Sequence, residues 1–333
     1  MNDLKVLIAQ HPFLHGIKPE YLDVLAKSAK AIEFTAGQKV LRQHEAAYEL
    51  YLITDGKLAI ESHSPGSGDV PLQVIGGGDA LGWSWLFPPF SSHLQARALE
   101  PTKAILLDGA SLLVQCENDR AFGYELMKRV AEVVINRLHA ARERLIEVHA
   151  SEECFEAVDE TKILRPDSEA GPTKTLLTQL TEHPFLKGMN PKHLGILANA
   201  AMRAHFAASE LVFGEGDLAN RFYLIQHGKV VLEFSKPEGR SIPVEIVGDG
   251  DVLGWSWLFP PFYCHFEARA VEPTQAIFLY GTRLREECEE DNDFGYDLMK
   301  RIAQVLIRRL QTTLRQLREH QKSEVTSTTL HPG

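Results

Sequence analysis

The run Gly82-Trp83-Ser84-Trp85, followed by Ser92 and His93, gathers side chains that could hold a ligand. The indoles of Trp83 and Trp85 offer flat faces on which a planar molecule or a partner protein could stack. His93 could donate to an anion, with a strength set by pH. The set returns as Gly254, Trp255, Ser256 and Trp257, followed by Cys264 and His265. These twelve residues form the candidate ligand-binding set. A plainer reading stands beside it: the tryptophans could serve as core, and each histidine could be a satisfied structural residue. Pro88-Pro89 and Pro260-Pro261 stiffen the following loop and remove two N–H donors from it.

The recurrence extends along the chain. The offset is 254 − 82 = 172. His11-Pro12-Phe13-Leu14 matches His183-Pro184-Phe185-Leu186, Gly56-Lys57 matches Gly228-Lys229, and Met127-Lys128-Arg129 matches Met299-Lys300-Arg301. A period this long means tandem domains, since solenoid repeats run to roughly 20–50 residues. The 333 residues also suit two domains. We divide them as domain 1 over 1–150, a linker over 151–175, domain 2 over 176–320 and a disordered tail over 321–333.

Helical spacing of Tyr21, Leu22, Leu25 and Ala29 predicts a helical lead. Short strands follow at Ile32–Gly37, Lys39–Leu41, Glu49–Ile53, Leu58–Glu61, Pro71–Ile75, Leu94–Leu99 and Ala104–Leu107. Thr54-Asp55-Gly56-Lys57 reads as a hairpin turn. From about Ser111 the period becomes helical and runs to about His149; in the second copy it runs to about Glu319. Arg97 and Arg269 alternate away from the core, as solvated or interface residues. The helix arginines Arg137, Arg142, Arg144, Arg301, Arg308, Arg309, Arg315 and Arg318 read as a solvated face with Glu143, Glu147 and Glu319. Leu306, Leu310, Leu314 and Leu317 make a stripe suited to another helix, so pairing of the two long helices within one chain and self-association through them are both open.

Several function classes are disfavoured. There is no GxSxG, HExxH, Walker loop or Rossmann fingerprint, so we expect no enzyme and no catalytic residue. Gly76-Gly77-Gly78 lacks the lysine of a phosphate loop and reads as a turn. Cys116, Cys154, Cys264 and Cys288 form no CxxC pair, so free thiols are expected and no metal site. A net charge of −10 argues against nonspecific nucleic-acid binding. No apolar run approaches the roughly 18 residues of a membrane span, and no secretory signal is visible. We therefore expect a cytoplasmic protein.

This order of parts resembles the cyclic-nucleotide-binding domain of the catabolite-activator and kinase-regulatory-subunit superfamily, twice over. Tyr51-Leu52-Ile53 with Gly56-Lys57 is similar to the family's hairpin signature. Gly78-Asp79-Ala80-Leu81-Gly82 is similar to the lead-in of its phosphate-binding cassette, and Arg97-Ala98-Leu99-Glu100-Pro101-Thr102 to the strand that leaves it. The resemblance implies an α+β fold of two tandem β-rolls (jelly rolls), each with N-terminal helices and a long C-terminal helix. It also implies a cyclic phosphate cradled by backbone N–H groups at a short helix. In the family a Glu after the glycine grips the ribose, and an Arg ten residues on pairs with the phosphate. Here those positions are Trp83 and Trp255, and Ser92 and Cys264. Around these positions the Trp, Ser, Trp, Pro, Pro and the following histidine, His93 or His265, are kept between copies better than the rest of the modules. Two functions follow. The first is a non-enzymatic sensor of a nucleotide-like or other small anion, with cAMP itself disfavoured by the lost Glu and Arg. The second is an accessory subunit that docks on a larger enzyme, a redox enzyme being one candidate. The partner is thus a small molecule, a protein or both. We expect no DNA-binding helix-turn-helix domain.

Overall fold

The computed structural model describes residues 2–46, 48–64, 68–88, 90–92, 94–150, 174–235 and 241–329. The first module opens with α1 (Asn2–Gln10) and α2 (Pro19–Ser28). Its strands are β1 (Lys30–Phe34), β2 (Lys39–Leu41), β3 (Glu49–Asp55), β4 (Lys57–Ser64), β5 (Gly68–Gly76), β6 (Ala80–Leu81), β7 (Gln95–Ala98) and β8 (Thr102–Asp108). Helices α3 (Gly109–Asn118) and α4 (Arg120–Ala150) follow. The second module repeats the order: α5 (Leu176–Glu182), α6 (Pro191–Ala200), β9 (Met202–Phe206), β10 (Leu211–Phe213), β11 (Arg221–His227), β12 (Val230–Ser235), β13 (Ser241–Val247), β14 (Val252–Leu253), β15 (Glu267–Ala270), β16 (Thr274–Tyr280), α7 (Gly281–Glu290) and α8 (Asn292–Thr329).

Each roll is two antiparallel four-stranded sheets, β1-β8-β3-β6 with β2-β7-β4-β5, and β9-β16-β11-β14 with β10-β15-β12-β13. Alternation decides what each strand buries. Leu58 and Ile60 of β4 sit opposite Ala98 and Ala96 of β7, and all four join the core of the first roll. Val230 and Leu232 pair with Ala270 and Ala268, and Val230, Leu232 and Ala268 join the core of the second roll. Large side chains on one strand face alanines on the next, so the layers interdigitate. Each fully buried aliphatic contributes roughly 1.5–3 kcal/mol.

The hairpin turn needs glycine. Gly56 has φ +86°, and a Cβ there would lie 2.6 Å from the Pro101 carbonyl oxygen and from Thr102 Oγ1. Gly228 repeats this with φ +101° and Thr274. His11 locks the helical lead onto the same hairpin. Its Nδ1 accepts the Phe13 N–H, so Nε2 carries the proton and donates to the Ile53 carbonyl at 2.9 Å. That carbonyl also accepts the N–H of Gly78. His183 does the same toward Ile225, which also accepts the N–H of Gly250.

The long helices differ from the sequence expectation in three respects. The single stretch from Ser111 breaks at Asp119, whose backbone is extended and whose carboxylate caps α4 by accepting the Phe122 N–H. The expected disordered tail over 321–333 is helical to Thr329. No Gly or Pro interrupts 321–329, and extending an existing helix costs little. Residues 330–333 and nearly all of the expected linker, 151–173, lie outside the described residues, as does Cys154. Finally, the compact units cut both helices: one is Met1–Arg142 with Leu298–Gly333, the other Glu143–Asp297. Sequence reading kept each helix with its own roll. At 38 residues, α8 is roughly 57 Å long, and from Leu298 onward it belongs to the first unit. Within the first unit, Lys300 of α8 pairs with Glu117 at 2.6 Å, and Arg318 Nη1 donates to Ser62 Oγ at 3.4 Å. Within the second, Ile146 of α4 packs on the core of its roll.

Among the described residues, no helix is long and apolar enough to cross a membrane. Among the described residues, Cys116, Cys264 and Cys288 are buried and in no disulfide.

Two outcomes follow from the hairpin. Gly56→Ala adds backbone strain to a steric overlap and should cost about 2–4 kcal/mol, read as a lower urea midpoint. Burial holds His11 and His183 below the ordinary value of 6.5. The unfolded chain therefore takes up these protons first as pH falls. Their stabilisation is complete above that value and declines below it, by at most about 1.4 kcal/mol per pH unit for each histidine. Urea midpoints of wild type should fall from neutral to mildly acid pH. In His11→Gln/His183→Gln that part of the slope should disappear.

Candidate functional site

The first cassette hangs from β6, which pairs with β3 through Tyr51–Leu81 and Leu52–Ala80. Gly82 then turns the chain with φ +91°; a Cβ there would meet the Glu49 carbonyl oxygen at 2.3 Å. One 3-10 turn, Ser84–Leu86, follows. A single turn replaces the short phosphate-cradling helix that the resemblance implied. Its Leu86 N–H is already bonded to the Trp83 carbonyl.

The two tryptophans part company here. Trp85 is 1% exposed, and its Nε1 donates to the Gly82 carbonyl at 2.8 Å. Its ring packs on the bare Cα of Gly109 at the start of α3. Trp85 is therefore core, as the plainer reading held. Trp83 is half-buried, like Ser84. The guanidinium of Arg137 lies over the Trp83 ring, 4.7 Å from its centroid. Arg137 comes from α4, donates through Nη2 to the Ala80 carbonyl, and stands 3.7 Å from Asp79. Burial lowers its pKa to about 10, against the opposing pull of Asp79.

At the position of the family's arginine, Ser92 is buried and its hydroxyl donates to the Leu94 carbonyl. Its backbone is held by His44 and Glu45. His93 lies outside the described residues, as does Pro89.

The second cassette is built alike and closed further. Gly254 has φ +81°, and its Cβ would meet the Arg221 carbonyl oxygen at 2.5 Å. Trp255 is 4% exposed and Trp257 fully buried. Trp257 packs edge-on against Phe222 and on Gly281. Its carbonyl accepts Arg285 Nη1 at 2.7 Å, and Arg285 stacks on Phe262. Ser256 is half-buried. Cys264 is buried, which pushes its thiol up to about 11. His265 is exposed on the surface. Partial burial still lowers its pKa, while Glu143 and Glu215 oppose that.

The structure thus brings Gly82, Trp83, Ser84 and Trp85 together in one cassette and Gly254, Trp255, Ser256 and Trp257 in the other, but the copies are not equivalent. Arg137 and Asp79 were missed as site residues. Arg137 was assigned to a solvated helix face, yet it is 6% exposed, and Arg142 and Arg309 are as deeply buried. Helical period tells which residues share a face, not what covers that face. A signal existed: the offset aligns Arg137 with Arg309 and Asp79 with Asp251. Arg97 also differs from a solvated residue. It does alternate away from the core, but it pairs with the fully buried carboxylate of Glu61, which Gln95 also binds. Arg269 pairs with Glu267 and donates to the Ser209 carbonyl.

The family description "Cyclic nucleotide-binding domain" matches residues 31–119 and 203–291. A curated relative, the CRP-like cAMP-activated global transcriptional regulator of Mycobacterium tuberculosis, is 26% identical over 129 residues. That match covers 39% of this chain and 56% of the relative, so the chain spans little more than half of its length. Among solved structures, the regulatory domain of Toxoplasma gondii PKA with cAMP is 16% identical, with coverage of 92% and 95% and a TM-score of 0.32. A putative cyclic nucleotide-binding protein from Geobacter metallireducens is 27% identical over 40% of this chain and 96% of its own, with a TM-score of 0.36. At these TM-scores the assignment rests on the sequence match. The two matched segments coincide with the two rolls and their cassettes, and the chain belongs to the cyclic nucleotide-binding domain family, with two such domains in tandem.

Proposed function

We propose that the chain is a non-enzymatic regulatory sensor whose first cassette takes a small anionic, nucleotide-like ligand. One observation carries this reading. Trp83 is half-buried in the cassette, unlike the buried Trp255, and stacked by Arg137 of the long helix α4. A ligand that displaced or tightened this contact would act on the helix directly, so occupancy and helix position would be coupled. The family gives the precedent of ligand binding, and the CRP-like relative is described as cAMP-activated. The absent Glu and Arg make cAMP itself a poor fit. The second cassette, with both tryptophans buried, has a structural part in this scheme.

A second reading draws on roll 2. Leu218 and Tyr263 pair across a bridge there and are 61% and 50% exposed. An apolar pair of this kind suits a protein partner, which supports an accessory-subunit role.

Thermal unfolding against cyclic mononucleotides, ATP, NAD(P)H and metabolite anions separates the two. A ligand at about 100 times its Kd should add roughly 2.7 kcal/mol. That shift should vanish in Trp83→Ala, which loses the half-buried indole and its contact with Arg137 and should therefore be less stable than wild type without ligand, though by less than a core truncation. Trp255→Ala removes a core side chain and should lose about 3–5 kcal/mol without ligand. A wild type that no member of the panel stabilises would overturn the sensor and favour the accessory subunit.

A further inference from the structure

We infer that Arg137 is the anion-binding group of the first cassette, supplying from the helix the guanidinium that the loop has lost at Ser92. The inference rests on the sensor reading and names the chemistry of that same site, a phosphate group.

The argument begins with the cost of burial. Removing a guanidinium from water is expensive unless charge and hydrogen bonds compensate it. The roll shows what full compensation looks like: Arg97 donates through Nε and Nη2 to both oxygens of Glu61. Arg137 is deeper, at 6% exposed against 34% for the Arg97 side chain. Yet its compensation is thinner. Its ion-pair carboxylate, Asp79, stands at 3.7 Å and is itself 41% exposed. Nη2 donates to the Ala80 carbonyl, while Nε is buried without a hydrogen-bond partner. The face of Trp83 supplies the rest. A five-donor fork is thus held in place with donor capacity unspent.

The surroundings fit an anion at this point. Ser92, at the family's arginine position, is neutral and its hydroxyl is committed to Leu94. Pro88 withholds a backbone donor from the loop. The 3-10 turn is too short to act as a helix terminus. Arg137 instead contacts the lead-in at Ala80 and Asp79 and the indole of Trp83. A phosphate accepting from its fork would complete the compensation. Trp83 would stay stacked and report the event.

The test titrates wild type, Arg137→Gln and Arg137→Lys with cAMP, ADP and inorganic phosphate, by calorimetry and tryptophan fluorescence. The expected result is saturable binding by wild type of at least one probe. Arg137→Gln should weaken it at least tenfold. Arg137→Lys should recover little, since an ammonium keeps the charge but neither forks nor stacks in the same way. Inorganic phosphate binding as tightly as the nucleotides would assign the site to the phosphate alone; tighter nucleotide binding would add a base contact to it. Equal affinities in wild type and Arg137→Gln would overturn the inference and leave the sensor standing. No binding by wild type would overturn the inference, and the sensor would then stand or fall on the wider thermal panel. Unfolded Arg137→Gln would assign the side chain to the fold and also overturn the inference.

Discussion

A Cβ on Gly109 would lie 2.3 Å from Cγ of Trp85, and one on Gly281 would lie 2.5 Å from Cβ of Trp257. This contact of indole against bare backbone is where cassette, roll and helix meet. Because the second tryptophan sinks fully into that gap, the turn carrying it is pinned beneath the start of α3 or α7. The left-handed glycine before the turn is pinned from the other side, by the Glu49 carbonyl of β3 at Gly82 and the Arg221 carbonyl of β11 at Gly254. With both ends held, the first tryptophan of each pair has little choice of position. Its environment then follows from whatever the roll and long helix place around it.

That dependence explains why two nearly identical phrases end in different states. Trp255 finds cover and is 4% exposed, whereas Trp83 remains half-buried beneath Arg137. The phrase determines the turn; the neighbours determine access. Burial of the second tryptophan also fills space with side chain, which removes that indole from any binding role. The cassette is thus narrower in its chemistry than twelve candidate residues suggest, and the guanidinium at its Trp83 comes from a helix rather than from the loop.

The long helices carry the other asymmetry. Helices of 31 and 38 residues outrun the rolls they follow. Leu310, Leu314 and Leu317 are buried within the unit that contains roll 1, far along the chain from the roll that α8 leaves. Apolar stripes demand cover, and the chain provides it without a second copy.

The repeat, the short strands, the glycine hairpins and the helical character of both long segments were legible in the residues, because each rests on self-similarity, local period or a steric rule that holds within a few positions; the roll itself came from the resemblance. The pairing of Trp83 with Arg137 was not, nor was the division of the helices between compact units. Such features join residues dozens of positions apart, and helical period specifies a face without naming its neighbour. Sequence alone therefore determined which pieces form and that they form twice. The tertiary structure decided which tryptophan is core, which arginine is buried and which cassette keeps an accessible aromatic face, because burial belongs to the packed whole.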